Sequence, residues 1–337
     1  MTLVVAGCFL AVASLHAAAL PGFGVRLLGT TAGFASSIAV DSRGTIYYTT
    51  VAGNLFRFAG GQSTLVASVP TQAVGDSGLL GMALRGDSTA IVHYTTPGRT
   101  ADIVSSIDLT TGSETILHSF VCDKDMPRRG SPAEHHGGNP SVASDGSIFV
   151  GIGDYGGRAI AALPDWNAGK IFRIFPDGSV EQFARGFRNP FDMVWDAERQ
   201  RLIASDNGDL ADDEINIIHD GDFCGWPYTM GHEPAIAGAV APVYTFPVIV
   251  APTGMIALSG RNPVLRSGYL LASFVTRALY LIPDIDARPL PDPIPLIQGE
   301  TGAIIDVAEE PDGDIDFVTG NAVYRLVVPA VRSRAVH

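Results

Sequence analysis

The sequence predicts an all-β chain folded as a six-bladed β-propeller of four-stranded antiparallel blades. Glycine (38) and proline (22) are frequent, while helical 3.6-residue periodicity is scarce. A unit of apolar-alternating strand, Asp/Gly turn and second alternating strand recurs six times along the chain. Successive copies stand roughly 40–65 residues apart, the spacing of propeller blades. A β-sandwich or two stacked sheets would share the composition, but not so regular a grammar.

The first copy is residues 38–48, turning at Asp41-Ser42-Arg43-Gly44. A degenerate second copy fits residues 81–94. The third, residues 142–150, turns at Asp145-Gly146. A weaker fourth covers residues 193–205, and a degenerate fifth covers residues 255–274. The sixth, residues 307–317, turns at Asp312-Gly313. Most copies are followed by a third strand carrying a basic or aromatic side chain near its end, as in Leu55-Phe56-Arg57-Phe58, Ile171-Phe172-Arg173-Ile174 and Val323-Tyr324-Arg325-Leu326. The ring must close, since an open edge strand invites aggregation. Residues 24–28 are expected to supply the outer strand of the last blade.

With 337 residues, 46% hydrophobic and 17% charged, the chain can bury a large core and is not disordered. A net charge of −13 argues against nucleic acid, which wants a basic face. Residues 1–19 read as a signal peptide or an N-terminal anchor: positions 3–15 are nearly all apolar, and Ala17-Ala18-Ala19 offers a small-x-small cleavage site. No Lys or Arg precedes the apolar run, a departure from the usual signal. Val5-Ala6-Gly7-Cys8 resembles a lipoprotein box, but Cys8 stands too early for a normal one. A periplasmic or secreted location follows, with the propeller over residues 20–330, a tail over 331–337 and no later membrane span. Cleavage would leave Cys122 and Cys224, either paired or as two thiols.

Four loops carry candidate chemistry. Asp76-Ser77-Gly78-Leu79-Leu80-Gly81 sets glycines around an apolar pair, equally a turn that opens a blade. Glu134-His135-His136-Gly137-Gly138-Asn139 precedes the third copy, which ends on Gly153-Asp154. The two ends of a hairpin lie side by side, so His135 and Asp154 are placed to meet. A carboxylate that fixes an imidazole tautomer makes a general base. On spacing alone, a solvated loop histidine near an unrelated Asp is the more frequent case. His136 is expected to point the other way. Gly186-Phe187-Arg188-Asn189-Pro190 offers a guanidinium fork beside an amide, suited to an anionic or carbonyl-rich ligand or to a blade carboxylate. Residues 205–216 crowd Asp206, Asn207, Gly208, Asp209, Asp212, Asp213 and Glu214, hard oxygen donors that suit Ca²⁺ or form an acidic surface turn. Trp226, in Cys224-Gly225-Trp226-Pro227, reads as core.

In this order, Gly78-Leu79-Leu80-Gly81, His135-x-Gly137-Gly138-Asn139, Asp145-Gly146, Gly153-Asp154, Arg188-Asn189-Pro190, Asp213-Glu214-Ile215-Asn216 and Gly225-Trp226-Pro227 resemble the glucose/sorbosone dehydrogenase family over about residues 25–328. That resemblance implies a six-bladed propeller that oxidises an aldose sugar to its lactone with pyrroloquinoline quinone (PQQ) and Ca²⁺ and passes electrons to a diffusible acceptor. It implies that His135 takes the C1 hydroxyl proton, Asp154 orients His135, and Arg188 stabilises charge on the quinone. It places Asp76, Arg188, Asn189 and Asn207 against the cofactor, backbone carbonyls of Gly208 and Asp209 on a catalytic Ca²⁺, and Glu214 on a second Ca²⁺. The family's blade-five lysine and blade-six arginines are replaced here by Val275, Ala303 and Ile305, with Arg277 as a partial substitute. PQQ carries three carboxylates, and burying them without cations is costly. The alternatives are a propeller of the same family that binds carbohydrate or protein without catalysis, and a Ca²⁺-dependent lactonase or hydrolase.

Overall fold

The computed structural model describes residues 19–122, 134–234 and 236–329. The N-terminal segment, Cys8, the tail over 331–337 and most of the loop over 121–133 lie outside them. Strand β1 (Gly24–Thr30) comes first in the chain. Blade one is β2 (Ala35–Val40), β3 (Ile46–Thr50), β4 (Asn54–Ala59) and β5 (Gln62–Ser68). Blade two is β6 (Leu79–Arg85), β7 (Thr89–Thr95), β8 (Ala101–Asp108) and β9 (Glu114–Val121). Blade three is β10 (Ser141–Val142), β11 (Ile148–Ile152), β12 (Lys170–Ile174) and β13 (Val180–Arg185). Blade four is β14 (Pro190–Asp196), β15 (Arg201–Asp206), β16 (Glu214–Ile218) and β17 (Tyr244–Thr245). Blade five is β18 (Pro252–Ala257), β19 (Tyr269–Ser273), β20 (Ala278–Ile282) and β21 (Ile294–Gln298).

Blade six takes β22 (Ile304–Glu309), β23 (Ile315–Thr319) and β24 (Ala322–Val327) from the end of the described chain. Its outer strand is β1, antiparallel to β24 with Gly24 opposite Val327. The expected closure of the ring is therefore present. All six sheets are four-stranded and antiparallel, and each copy of the repeat is the first hairpin of one blade. Among the described residues no helix is long and apolar enough to cross a membrane.

The core is split into the six spaces between blades. Side chains alternate along a strand, so a strand buried on both faces feeds two of them. In β11, Ile148, Val150 and Ile152 pack with Ile91, Val104 and Phe120 of blade two. Phe149, between them, packs with Met193, Leu202 and Ile218 of blade four. In β19, Leu271 faces Ile203 and Ile215, while Leu270 faces Val307 and Phe317. This two-sided burial explains why second strands such as Ile148-Phe149-Val150 read as continuous apolar runs.

The innermost strands meet around the axis through buried polar groups. Asp306 accepts from Ser37 Oγ at 2.6 Å and from Ile38 N–H at 2.9 Å. Asp192 accepts from Asn139 Nδ2 at 2.9 Å and from Met255 N–H at 2.6 Å. Glycine allows this approach: a methyl on Gly254 would overlap Asp306. The belt separates two cavities along the channel, one of about 340 Å³ on the side of Met82 and Met193, the other of about 370 Å³ on the side of Asn189 and Asn207.

Candidate functional site

The His135 loop lies just before β10, and Asp154 just after β11. Because β10 and β11 pair antiparallel, with Ser141 opposite Phe149, both positions fall at one end of blade three. His135 Nδ1 lies 2.5 Å from Asp154 Oδ1. Asp154 is fully buried and accepts from Gly156 N–H at 2.8 Å and from Trp226 Nε1–H at 2.9 Å. An acceptor so held sets the proton on Nδ1 and leaves Nε2 as the lone-pair nitrogen. Among the described residues Nε2 has no partner, and the His135 side chain keeps 12% of its surface exposed.

The backbone of His135 is left-handed, with φ of 59°. A non-glycine residue there is strained, and its surroundings hold it. Asp76 Oδ2 accepts its N–H at 2.6 Å. Asn189 Oδ1 accepts the N–H of Gly137 at 3.0 Å. Gly137 also has a positive φ, and a methyl there would strike the Gly151 carbonyl in β11. His93, buried in β7, contacts the Gly138 carbonyl through Nδ1 at 2.9 Å. His136 does point away from His135, into a buried contact with Asp102.

Arg188 and Asn189 are fixed by Asp206, which accepts both backbone N–H groups at 3.0 and 2.6 Å. Burial and then the charge of Glu214 push the Asp206 carboxyl well above its usual range. Arg188 Nη1 donates to the Asn207 carbonyl at 3.0 Å, and Nη2 stands 3.8 Å from Asp209. Asp209 also pairs with Arg158, whose guanidinium lies 4.8 Å over the Trp226 ring. The sequence reading took Asp206 only as one oxygen donor of an acidic loop and Trp226 as core, and it left out Arg158 and Asp102. Trp226 meets the site from blade four and Asp102 from blade two, while Arg158 follows β11 within blade three itself.

The Gly208 turn is closed by Asp213, whose Oδ1 accepts Gly208 N–H at 2.8 Å. Glu214 is buried and accepts from Gly231 N–H at 2.5 Å and Asn216 Nδ2 at 3.0 Å. Burial, reinforced by Asp212 and Asp213, raises its carboxyl to about 7 against those two bonds. Arg277 is exposed, with φ of 53°, and is not on the cavity wall. Cys122 and Cys224 are both free and buried.

The model of the family described as Glucose / Sorbosone dehydrogenase matches residues 34–328. This chain belongs to that family. It is 25% identical over 209 residues to quinoprotein glucose dehydrogenase B of Acinetobacter calcoaceticus, covering 50% of this chain and 43% of that one. It is 28% identical over 168 residues to an aldose sugar dehydrogenase of Escherichia coli, covering 46% and 40%. The matches thus span about half the length of the curated relatives, or less. Among solved structures, the PQQ-bound aldose sugar dehydrogenase of Streptomyces coelicolor superposes with a TM-score of 0.77 at 23% identity, covering 92% of this chain and 99% of that one. At that identity the likeness is one of fold.

Membership in the glucose/sorbosone dehydrogenase family implies PQQ, and the residues present fit that group poorly. The cavity bordered by Asp76, which holds the His135 N–H, is walled by Phe34, Leu80, Phe191, Phe274 and Ile305, with Ser36, Asp76, Asn189, Asn207 and Thr253 as polar points. No Lys, Arg or His is among its lining residues. Val275 is exposed, and Ile305 is wall, so neither supplies charge. Burial raises the Asp76 carboxyl, although the His135 N–H and imidazole lower it in part. A tricarboxylate here would lack cationic partners. The unpartnered buried atoms on the wall, Asp76 Oδ1 and Asn207 Oδ1, are acceptors. They call for hydroxyl or N–H donors, or for a cation.

Proposed function

We propose that this chain is a carbohydrate-active dehydrogenase of its family that oxidises an aldose at C1 to the lactone: the C1 hydrogen leaves with its electron pair to a two-electron acceptor of the quinone class supplied from outside the chain, while the C1 hydroxyl gives up its proton. His135 takes the hydroxyl proton on Nε2, and Asp154 holds Nδ1–H and stabilises the imidazolium that forms. The observation that carries this reading is the 2.5 Å contact of His135 with Asp154, itself held by Trp226. The cavity chemistry supports a sugar: aromatic rings for C–H faces and unsatisfied acceptors for hydroxyls. Ca²⁺ would be held by the backbone carbonyls of Gly208 and Asp209 and would polarise a bound oxygen. Export to the periplasm or outside the cell, with a diffusible electron acceptor, completes the proposal.

The cation-free cavity favours one second reading, a propeller that binds a sugar without oxidising it. Dye-coupled oxidation of an aldose panel separates the two, run with no addition, with Ca²⁺, with PQQ and with both. Turnover that needs His135 supports the dehydrogenase, and the required addition names the oxidant. Saturable sugar binding with no turnover under any condition replaces it with the binding reading.

A further inference from the structure

Beneath the dyad lies a carboxylate that the proposed chemistry does not use. Asp102, in β8 of blade two, is fully buried. Its Oδ1 accepts from Thr95 Oγ1 at 2.8 Å and lies 3.0 Å from His136 Nδ1. Its Oδ2 accepts from Tyr155 Oη at 2.6 Å and stands 3.8 Å from Cys122 Sγ. His136 follows His135 in the chain, and Tyr155 follows Asp154. One carboxylate in a neighbouring blade thus grips both arms of the dyad from behind.

Two further observations give the grip something to do. His135 and Tyr155 both have left-handed backbones, φ of 59° and 53°, a conformation that persists only where neighbours over-determine it. The two segments also touch directly: Tyr155 N–H donates to the His135 carbonyl at 3.4 Å, and the His136 and Tyr155 rings stand 5.1 Å apart. A metal centre on Asp102, Cys122 and His136 would compete with bonds that Thr95, His136 and Tyr155 already make to both Asp102 oxygens.

We propose that Asp102 is the positioning residue of the His135–Asp154 dyad, fixing the two side chains relative to each other through His136 and Tyr155. This rests on the dyad reading given under the proposed function. A shift of about 1 Å between reacting groups costs as much as 10²-fold in rate, so a buried anchor common to both arms has a catalytic consequence.

The test is long-range ¹H–¹⁵N correlation on the ¹⁵N-histidine-labelled full chain, which reads the imidazole tautomer of His135 from its carbon-bound protons. The wild type should show His135 as the Nδ1–H tautomer alone. Asp102→Ala should convert it to a mixture with the Nε2–H form while circular dichroism stays native. An unchanged single tautomer in folded Asp102→Ala, or a mixture in the wild type, overturns the proposal. If Asp102→Ala does not fold, Tyr155→Phe and His136→Gln each cut one arm, and an unmoved tautomer in both overturns it equally. Where an aldose is oxidised, kcat of these variants should fall about tenfold or more with KM little changed. A tautomer shift in a protein without aldose turnover sinks the dehydrogenase reading and leaves the positioning role standing.

Discussion

His135 and Asp154 stand 19 residues apart and meet at 2.5 Å because one short hairpin returns the chain to its starting end. The imidazole is held on Nδ1 and free on Nε2. His135→Ala should therefore abolish sugar oxidation while leaving the fold and ligand binding intact. Asp154→Asn should lower kcat by about a hundredfold or more, since the amide no longer stabilises an imidazolium. Steady-state kinetics on both variants check this, and unchanged turnover would remove the dyad from the mechanism.

The same loop predicts a pH dependence of stability. Burial alone would depress the His136 imidazole, but Asp102 and Cys122 outweigh it and raise it to about 10. His93 and Tyr155 are the other titratable groups that face this cluster. The folded value lies above the unfolded value of 6.5, so the charge contributes fully below about pH 6.5. That contribution, on the order of 3–5 kcal/mol, is lost as pH rises toward 10. Urea unfolding at neutral and alkaline pH should show His136→Gln less stable at neutrality and less sensitive to alkali. Equal slopes in the two proteins would contradict the assignment.

The belt around the axis leaves no room for a larger residue at Gly254. Gly254→Ala would push a methyl into Asp306, whose carboxylate ties blade six to blade one. A loss of roughly 2–4 kcal/mol is expected, as a lower urea midpoint with unchanged m. Native stability in this variant would mean that the belt adjusts freely.

If the Gly208 turn holds Ca²⁺, chelation should lower the melting temperature and added Ca²⁺ should restore it. A ligand of the native state at a hundredfold its Kd contributes about 2.7 kcal/mol. Calorimetry on stripped protein decides this, and an unmoved transition removes the metal.

The cavity predicts weak PQQ binding in the native chain. Ile305→Arg puts a cation on its wall and should raise PQQ affinity about tenfold or more in a calorimetric titration. Tight, saturable binding by the native chain would show that charge is supplied from elsewhere.

The six blades were legible because their causes are local. Asp-Gly turns and strands that bury both faces leave a repeating print, and residues 24–28, expected as the outer strand of the last blade, pair there as β1. Residues 81–94 and 255–274, the faintest copies, proved to be blades two and five. The meeting of His135 with Asp154 was likewise within reach, since a hairpin joins them. What the chain alone left open lies between blades. Trp226 reads as core, and only the stacking of blade four beside blade three turns its N–H onto Asp154. Asp102 reads as an ordinary strand residue, yet it underlies both arms of the dyad from blade two. The missing cations at Val275, Ala303 and Ile305 were legible in the sequence, but the wall they leave was assembled in the same way. Phe34, Ile305 and Phe274 come from three parts of the sequence, and only ring closure brings them to one wall. Radial packing makes neighbours of residues far apart in the chain, so local pattern specified the blades while tertiary contact specified the chemistry at their junctions.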